Sequence, residues 1–445
     1  MIIELHNFGP IERFTFDTEK QMYFIFGENN LGKSYAISAV YLILKNWKKA
    51  KELRYSFDVS EWNYSEIKKK ISLLESEVNL DDEFKSITKQ FLYQYFIENL
   101  ENSFSNSFSS IGDLFNKYSR KGFVIKIEDK NVLFTLIQKN NKLEQKDLVF
   151  KSKINLIQDE DYPQSYFTEG TGVFFQLEED KSFHVGFFGI ILDYILFKNK
   201  KTDFYFLPAS RSGIYNGLSA FSAIIVQLTQ LRNQIPNYKF EIPTLSEPNS
   251  DYFLNISTIN GKGYSTPFSE FAKKIEDKII KGKISFDKSD RKLYYEPEKL
   301  DLSLELSQAS SMISEIAPII AHLKFILNNA EGTENYLFIE EPEAHLHPKS
   351  QVELMKLFAE LAGNGLHIIM TSHSNYLFNK LSNMVLAKEI DPETISVCLM
   401  KMGKDGSYVD ENAMQIDEDG IDDDNFADIA EELYTERLKL YEQNP

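Results

Sequence analysis

The segment 27–34, which reads GENNLGKS, constrains the fold of this chain more than any other part of the sequence. It follows an apolar run, Met22 to Phe26, and precedes Tyr35 to Trp47, where apolar residues recur at helical spacing. The segment therefore predicts a glycine-rich loop that joins a buried strand to a helix. Strands and helices alternate again in the C-terminal third of the chain, so we expect a mostly parallel α/β core.

The same segment predicts a nucleotide site, because it matches the pattern G-x-x-x-x-G-K-S at every fixed position. In such a loop the glycines allow backbone N–H groups to surround phosphates, and the following helix points its positive end at them. We expect Lys33 to reach the β- and γ-phosphates of ATP and the Ser34 hydroxyl to hold Mg²⁺. The alternative is a glycine-rich turn that binds no ligand. The expected ATP-binding residues are Gly27, Asn29, Asn30, Gly32, Lys33 and Ser34.

Two further segments place polar side chains at the ends of apolar strands. Residues 336–342, YLFIEEP, predict a strand that brings Glu340 to Mg²⁺, while Glu341 orients and deprotonates the attacking water. His373 follows the next predicted strand, His367 to Thr371, where it can contact the γ-phosphate or position the water. A histidine in the capping region of a helix is the alternative for His373. The expected catalytic residues are Glu341 and His373, and the expected metal ligands are Ser34 and Glu340.

The net charge of the chain argues against one class of partner. Among 445 residues there are 67 acidic and 49 basic side chains, which leaves a formal charge of −18. A protein whose whole surface grips duplex DNA normally carries the opposite sign, so any nucleic-acid contact must come from a local basic patch or from a partner. Basic runs occur at Lys48-Lys49 and at Lys68 to Lys70, and a solvated helix surface is the more ordinary explanation of the second run.

The sequence does not have the features expected of a secreted or membrane protein. The N-terminal segment MIIELHNFGPIERF lacks the basic and apolar regions of a signal peptide. The longest apolar stretch, Val185 to Phe197, is interrupted by Asp193 and is shorter than the ~20 residues of a membrane span, which favours a buried helix. Cys398 is the one cysteine, as is typical of a reducing compartment. We therefore expect a cytoplasmic protein.

The segments GENNLGKS, EEPEAHLHP and TSHS resemble the ATPase heads of the overcoming-lysogenization-defect and RecF/SMC-like branch of the ABC superfamily. The resemblance implies that Glu340 is the magnesium-holding acid, that Glu341 is the catalytic glutamate and that His373 is the switch histidine. Residues 344–348, AHLHP, stand where the dimer-contacting D-loop lies in that family. Glu340 replaces the commoner Asp, which allows a contact with Mg²⁺ through a water molecule.

The resemblance also implies a signature loop, which closes over the ATP of a partner subunit. The candidate is Ala309 to Met312, where Ser310, Ser311 and backbone N–H groups would contact phosphate. The methionine departs from the glycine of the family, and a simple helix N-cap by either serine is the alternative. For the glutamine of the Q-loop, Gln176 is a weak candidate. Arg211 is expected at the end of a strand, at the edge of the sheet where a ligand would bind. It could contact the nucleotide or a subunit interface, or it could form an ordinary surface ion pair.

The resemblance covers residues 1–47 and about 203–445, so the segment between them is expected to hold additional structure. Residues 48–120 predict a mostly helical insertion without the heptads of a coiled coil. Residues 121–200 are expected to form an antiparallel β-subdomain and a buried helix. The expected fold class is therefore α/β, an ABC-type P-loop ATPase head whose core consists of residues 1–47 and 201–445.

Three functions are compatible with these features. ATPases of this type resemble the partners in bacterial anti-phage systems such as PARIS and Septu, where an ATP-driven switch controls a separate nuclease or toxin. A RecF-like repair ATPase that clamps DNA and a scaffold that binds ATP without turnover are the alternatives. The intact Glu341 argues against the scaffold, and the charge of −18 favours the switch over the repair enzyme.

The C-terminal acidic residues do not predict a nuclease. Asp417 and Asp419 lack the spacing of an EF-hand and are expected in a turn before a helix. The output of the switch is therefore expected from another chain. The implied partners are a head-to-tail, ATP-bridged dimer or higher homo-oligomer, a separate effector nuclease or toxin, and weakly bound DNA, with no membrane contact.

Overall fold

The structure is a computed structural model that describes residues 1–57, 77–79, 81–151, 155–158, 165–168, 174–176, 188–189, 192–193, 196, 201–217, 245–259, 267–328, 330–417, 420–423 and 427–443. The sequence also predicts a helix around residues 220–234, and this segment lies outside the described residues. Most of the predicted helix 185–197 and the lysine run 68–70 also lie outside them.

The described strands are β1 (Ile2–Phe8), β2 (Ile11–Asp17), β3 (Met22–Gly27), β4 (Glu77–Asn79), β5 (Val124–Glu128), β6 (Val132–Lys139), β7 (Lys142–Phe150), β8 (Asn155–Gln158), β9 (Ser165–Thr168), β10 (Phe174–Gln176), β11 (Lys201–Leu207), β12 (Gly282–Asp287), β13 (Lys292–Pro297), β14 (Leu304–Glu305), β15 (Thr333–Glu340), β16 (Leu366–Thr371), β17 (Ile395–Gly403), β18 (Gly406–Asp410), β19 (Ile416–Asp417) and β20 (Gly420–Ile421). The helices include α1 (Lys33–Leu53), α2 (Asp81–Leu92), α3 (Glu98–Phe108), α4 (Glu247–Ser257), α5 (Pro267–Ile275), α6 (Ser311–Ala321), α7 (Pro348–Gly363), α8 (Asn375–Leu386) and α9 (Ala427–Gln443). Within the described ranges, every helix is too short or too polar to cross a membrane.

The chain divides into two compact units. Unit 1 consists of Met1–Thr18 and Leu42–Lys201, and unit 2 consists of Glu19–Tyr41 and Thr202–Pro445. Each unit therefore combines segments that are distant in the sequence. The glycine-rich segment 27–34, called the phosphate loop from here on, belongs to unit 2 together with Glu340, Glu341 and His373.

Unit 1 contains the antiparallel strands that the alternating pattern after residue 121 predicts. Its larger sheet has the strand order β2-β1-β5-β6-β7, and a smaller sheet has the order β10-β9-β8-β4. The strands β5 and β6 pair Val124 with Ile137, and the backbone N–H of Asp129 donates to the Val132 carbonyl oxygen across the turn (2.9 Å). Along β5, buried side chains on one face alternate with more exposed ones on the other, as is typical of an antiparallel sheet with one covered face.

Unit 2 contains the parallel sheet that positions the candidate site. Its strand order is β11-β15-β16-β3-β17-β18, in which β15, β16, β3 and β17 are mutually parallel neighbours and β18 runs antiparallel to β17. Every residue of β3 is buried, which its continuous apolar sequence allows. The predicted α/β fold is thus confirmed.

Helices cover both faces of the parallel sheet. On one face, Phe378 of α8 packs edge-to-face against Phe26 of β3, with 5.6 Å between the ring centroids. On the other face, Tyr41 of α1 packs in the same way against Phe338 of β15, at 5.5 Å. Parallel sheets need this arrangement because both of their faces are apolar. The strand ends are consequently the part of the sheet that solvent and ligands can reach.

Some predicted elements differ from those observed. The sequence of residues 302–307, LSLELS, predicts a strand, but the observed strand is limited to β14, because a 3₁₀ turn, Leu306–Gln308, follows it directly. The sequence also predicts one helix over residues 311–327, whereas α-helical geometry ends with α6 and the chain continues as a π turn, His322–Ile326. The backbone N–H of Leu327 donates to the His322 carbonyl oxygen (2.9 Å), which is the i+5 bond of such a turn.

Candidate active site

Three strands of unit 2 end at one edge of the parallel sheet. The registers of β15, β16 and β3 align Glu340 with Thr371 and Thr371 with Ile25. The phosphate loop, the acid pair (Glu340 and Glu341) and His373 lie at these three strand ends. The carboxyl edge of a parallel sheet is where α/β proteins bind ligands. The structure thus brings together the three motifs that the sequence predicts as one site.

The phosphate loop has backbone angles that explain its glycines. Gly27 has a φ of +136°, and a Cβ atom there would lie 2.5 Å from the carbonyl oxygen of Met400. Gly32 (φ +86°) and Asn30 (φ +65°) lie in the left-handed region, which glycine and asparagine tolerate best. Asn29 and Asn30 are exposed. Gly27 therefore serves the packing of β17 as well as the path of the loop.

Lys33 is buried, and its ammonium group lies against the loop. Its Nζ donates to the carbonyl oxygens of Gly27 (3.0 Å) and Glu28 (2.6 Å). Burial lowers the pKa of Lys33 to about 8, and the charges of Glu341, Glu343 and Glu28 oppose this shift. An ammonium group has three donors, so a third hydrogen bond can be made to a phosphate oxygen.

Glu340 is buried at the end of β15, beside the first turn of α1. Its Oε2 accepts from the Ala209 backbone N–H (3.2 Å), and its carboxyl group also shares a hydrogen bond with the Ser34 hydroxyl. Burial raises the pKa of Glu340, while these two hydrogen bonds act in the opposite direction. Its Oε1 has no hydrogen-bond partner within the described part of the chain. A buried carboxylate oxygen beside a serine hydroxyl fits a hard cation such as Mg²⁺.

Glu341 extends from a constrained backbone toward solvent, and 43% of its side chain is exposed. Its φ is +44°, and its N–H donates to the Thr371 carbonyl oxygen (3.0 Å). The Oε1 atom lies 3.8 Å from Nε2 of His373. Burial and the charge of Lys33 lower the pKa of His373, so the ring is neutral at pH 7. A carboxylate that water can reach, beside a neutral imidazole, can accept a proton from that water.

Glu343 belongs to the same site, although sequence reasoning did not single it out. Its Oε1 accepts from the Ser372 hydroxyl (2.8 Å) and from the His373 backbone N–H (2.7 Å). Burial raises the pKa of Glu343, and hydrogen bonds from His373 and Ser372 are among the influences that lower it. The third carboxylate of EEPEAHLHP was the signal that could have identified it. Glu343 fixes the loop of His373 to the loop of Glu341.

His373 lies in the capping region of α8, as its alternative interpretation expects, but it is not the capping residue itself. The N-cap is Ser374, whose hydroxyl accepts from two backbone N–H groups in the first helical turn. The imidazole of His373 also lies near Glu341, at the distance given above, so both interpretations of this residue stay open.

Arg211 is fully buried, so the surface ion pair considered for it is wrong. Its guanidinium group donates to the carbonyl oxygens of Glu340 (2.8 Å) and Glu341 (3.2 Å). It also donates to the Glu315 carbonyl oxygen (2.9 Å) and forms an ion pair with the Glu315 carboxylate. Because its side chain is covered by protein, Arg211 supports the backbone of the acid pair from the protein interior.

The remaining predicted residues lie apart from this cluster. Ser310 and Ser311 are exposed at the N-terminus of α6, where Ser310 occupies the N-cap position without a side-chain capping bond. Gln176 lies on β10 of unit 1. Asp417 lies on β19, and Asp419 is outside the described residues. Among the residues that the structure places, no group of three or more His, Cys, Asp or Glu side chains could hold a metal ion.

Three solved structures of SMC heads are similar to this chain. One is an Smc head bound to the C-winged helix domain of ScpA (10% identity, 92% of this chain and 96% of that chain, TM-score 0.38). The second is the SMC head domain from Thermotoga maritima (9% identity, 92% and 97%, TM-score 0.31). The third, derived from Pyrococcus furiosus, is an Smc head with an extended coiled coil bound to the C-terminal domain of ScpA (12% identity, 92% and 95%, TM-score 0.37). The α/β assignment depends on the observed sheet and not on these scores.

No curated protein is similar enough to the chain to count as a match, but a family model matches most of the chain. The model described as "AAA ATPase domain" matches residues 1–378, which include the phosphate loop, the acid pair and His373. ATP binding and hydrolysis are the activity of such a domain, in agreement with the geometry of the site. Because this match spans most of its length, the chain belongs to the AAA ATPase domain family.

Proposed function

We propose that the chain is a Mg²⁺-dependent, ATP-hydrolysing molecular switch. The observation that carries this proposal is the meeting of three features at one sheet edge: the phosphate loop, the buried Glu340 and the exposed Glu341 carboxylate. Transfer of a phosphoryl group to water requires groups that bind phosphate, a ligand for the metal ion and a residue that orients the water. The family match supports the same chemistry.

Each side chain of the site has a separate part in the proposed reaction. Lys33 and the N–H groups of the loop bind the phosphates of ATP. Ser34 and Glu340 hold Mg²⁺, which neutralises charge on the phosphate oxygens when it is bound. Glu341 accepts the proton of the attacking water, and the neutral ring of His373 orients that water or the γ-phosphate.

The proposal includes a head-to-tail dimer, or a higher homo-oligomer built from it. Ser310 and Ser311 are exposed at the N-terminus of an 11-residue helix, whose backbone N–H groups favour anions. In the dimer, these serines of each subunit would contact the ATP bound to the phosphate loop of the other subunit. Two ATP molecules would then be buried between two symmetric copies.

The proposed biological role is that of the sensor or regulatory ATPase of an anti-phage defence system. The resemblance of GENNLGKS, EEPEAHLHP and TSHS to the ATPase components of such systems supports this role. The net charge of −18 also supports it, since a DNA clamp would normally be basic. The damage to nucleic acid or to the cell would come from a separate nuclease or toxin, which the ATP state of this chain controls.

Steady-state ATP hydrolysis by two variants tests the proposed chemistry. Glu341→Gln should bind ATP but lower kcat by about 10²- to 10⁴-fold, because a carboxamide cannot accept the proton of water. Lys33→Ala should lose tight ATP binding, because it removes the ammonium group from the phosphates. Glu360 of α7, whose carboxylate pairs with Lys274 of α5, is the matched control, and Glu360→Gln should keep the wild-type rate. Wild-type turnover by Glu341→Gln would show that the base is assigned wrongly.

Protection against phage tests the proposed role. Cells that carry the chain with its neighbouring genes should survive infection, and Glu341→Gln or Lys33→Ala should abolish this survival at equal protein levels. The Glu360→Gln control should protect like the wild type. Unchanged protection by both site variants would contradict the defence role while leaving the ATPase assignment intact.

A further inference from the structure

Arg211 occupies a place in unit 2 that a charged side chain rarely takes. Its side chain is 0% exposed, and burial lowers the pKa of its guanidinium group while the charge of Glu315 opposes the shift. Fully buried cations are costly unless they are paired and hydrogen-bonded. Arg211 meets this condition mainly through carbonyl oxygens, which come from three different segments of unit 2. The orientation of the guanidinium group is therefore fixed by acceptors on several sides.

Two of the carbonyl oxygens belong to the acid pair. Nη1 of Arg211 donates to Glu340 (2.8 Å), and Nη2 donates to Glu341 (3.2 Å). The backbone of Glu341 has a φ of +44°, a conformation that residues other than glycine rarely adopt without external support. The hydrogen bond between its N–H and Thr371 (3.0 Å) holds one side of this residue, and Arg211 holds the other.

The opposite side of the guanidinium group contacts α6. Nε of Arg211 donates to the Glu315 carbonyl oxygen (2.9 Å) and lies 3.1 Å from Oε2 of the same residue. The other carboxylate oxygen of Glu315 accepts from the hydroxyl of Ser212. Glu315 is one helical turn from Ser311, the exposed first residue of α6. A single side chain thus connects the first turns of α6 to the backbone of both acids.

The position of Arg211 is itself fixed by α4. The hydroxyl of Tyr252 donates to the Arg211 carbonyl oxygen (2.9 Å), and Tyr252 is fully buried. The backbone of Arg211 is therefore anchored, while its side chain connects α6 to the acid pair. A displacement of α6 that carries the guanidinium group along with Glu315 would change the hydrogen bonds at Glu340 and Glu341.

We infer that Arg211 is a positioning residue, which with Glu315 couples the placement of the α6 N-terminus to the geometry of Glu340 and Glu341. This inference rests on the proposed function, because it assigns Arg211 a part in the same hydrolysis. Arg211 does not touch the reacting atoms. It holds the backbone from which the metal ligand and the base extend, and it does so only while Glu315 keeps α6 in place.

The planar fork of arginine is what this arrangement requires. Its N–H groups reach several acceptors in fixed directions, whereas the ammonium group of a lysine is a compact charge on a flexible stem. Arg211→Lys should therefore keep the charge beside Glu315 but lose the simultaneous bonds to the two acids. The substitution therefore tests whether activity depends on the orientation of the acid pair or only on a positive charge at this buried position.

The test compares kcat, KM and thermal unfolding for Arg211→Lys, Glu315→Gln and a matched control. Lys324→Met is the control, because Lys324 forms a partly buried ion pair of unit 2, with Glu276, and does not contact the acid pair. We expect Arg211→Lys to lower kcat about 100-fold with KM within about threefold, since small displacements of reacting groups have effects of this size. The control should lower the unfolding temperature but keep kcat within about twofold.

Glu315→Gln keeps the size of the side chain and its contact with Ser212, so it serves if Arg211→Lys does not fold. We expect it to lower kcat about tenfold at unchanged KM. A kcat within twofold of wild type in a folded Arg211→Lys or Glu315→Gln protein would overturn the inference, and so would an equal loss of kcat in Lys324→Met. Failure of the proposed function would look different, because the wild type would then not hydrolyse ATP or Glu341→Gln would hydrolyse it normally.

Discussion

The three carboxylates of the EEPE segment are chemically identical but lie in different surroundings. Burial raises the pKa of Glu340 and of Glu343, and both side chains accept hydrogen bonds from protein groups. Glu341 lies between them in the sequence, yet 43% of its side chain is exposed. Environment therefore distinguishes the proposed metal ligand, the proposed base and a structural acceptor within four residues. The sequence predicted the first two roles, whereas the role of Glu343 depends on contacts with residues about thirty positions away.

His322 leads to a prediction about stability at low pH. Its Nδ1 lies 2.8 Å from the Pro318 carbonyl oxygen, and its ring stacks on Tyr252 at 5.9 Å between centroids. Burial lowers the pKa of His322 to about 4. The unfolded chain then binds more protons between pH 4 and 6.5, so stability should decrease as the pH falls through that interval. We expect the titration of His322 to lower the free energy of unfolding by about 2 kcal/mol between pH 7 and pH 5.

Thermal unfolding of His322→Phe at pH 7 and pH 5 checks this prediction. Phenylalanine keeps an aromatic ring on Tyr252 but cannot be protonated, so it removes the pH dependence that belongs to this position. Wild type should lose several degrees more than His322→Phe on going from pH 7 to pH 5. Equal losses in the two proteins would mean that His322 does not titrate in this range.

At the scale of elements, continuous apolar runs predicted the buried parallel strands well. β3 and β16 begin and end within one residue of the predicted runs, because a strand covered on both faces leaves little choice of side chain. β17 was missed, since Ser396 and Lys401 interrupt its apolar sequence. The pairing of Cys398 with Ile25 in the parallel sheet joins residues too distant for a local pattern to reveal. The bonds of Arg211 escaped prediction for the same reason.

The N-terminus of α6 leads to a prediction about assembly. If Ser310 closes over the ATP of a second subunit, Glu341→Gln should form dimers with ATP and remain monomeric without it, because the nucleotide is bound but not consumed. Adding Ser310→Arg should prevent dimerisation and leave ATP binding by the monomer intact, since the bulky side chain obstructs only the interface. Light scattering with and without ATP measures both outcomes. Ser303→Arg, at another exposed serine, is the control and should still dimerise.

At the scale of the whole molecule, the charge distribution limits what the chain can bind. The net charge of −18 repels a polyanion such as DNA, and the basic residues at the end of α1 already contact other side chains. Lys49 donates to the Asn99 side chain (2.7 Å), and Lys48 lies 3.7 Å from Glu52. These lysines are therefore less available to phosphates than their spacing in the sequence indicates. We expect the partner of the switch to be a protein, bound through the insertion predicted over residues 48–120.

The last prediction concerns DNA and follows from this charge distribution. The purified chain should bind duplex DNA weakly, without sequence preference, and should release it by ~200 mM salt, because contacts made only with phosphates weaken steeply as salt displaces them. It should degrade no nucleic acid in the presence of Mg²⁺ or Mn²⁺. Fluorescence anisotropy across a salt series and a gel-based nuclease assay measure these properties. DNA binding that survives ~200 mM salt would favour a repair ATPase, and nuclease activity that depends on Asp417 and Asp419 but not on Glu341 would contradict the need for a separate effector.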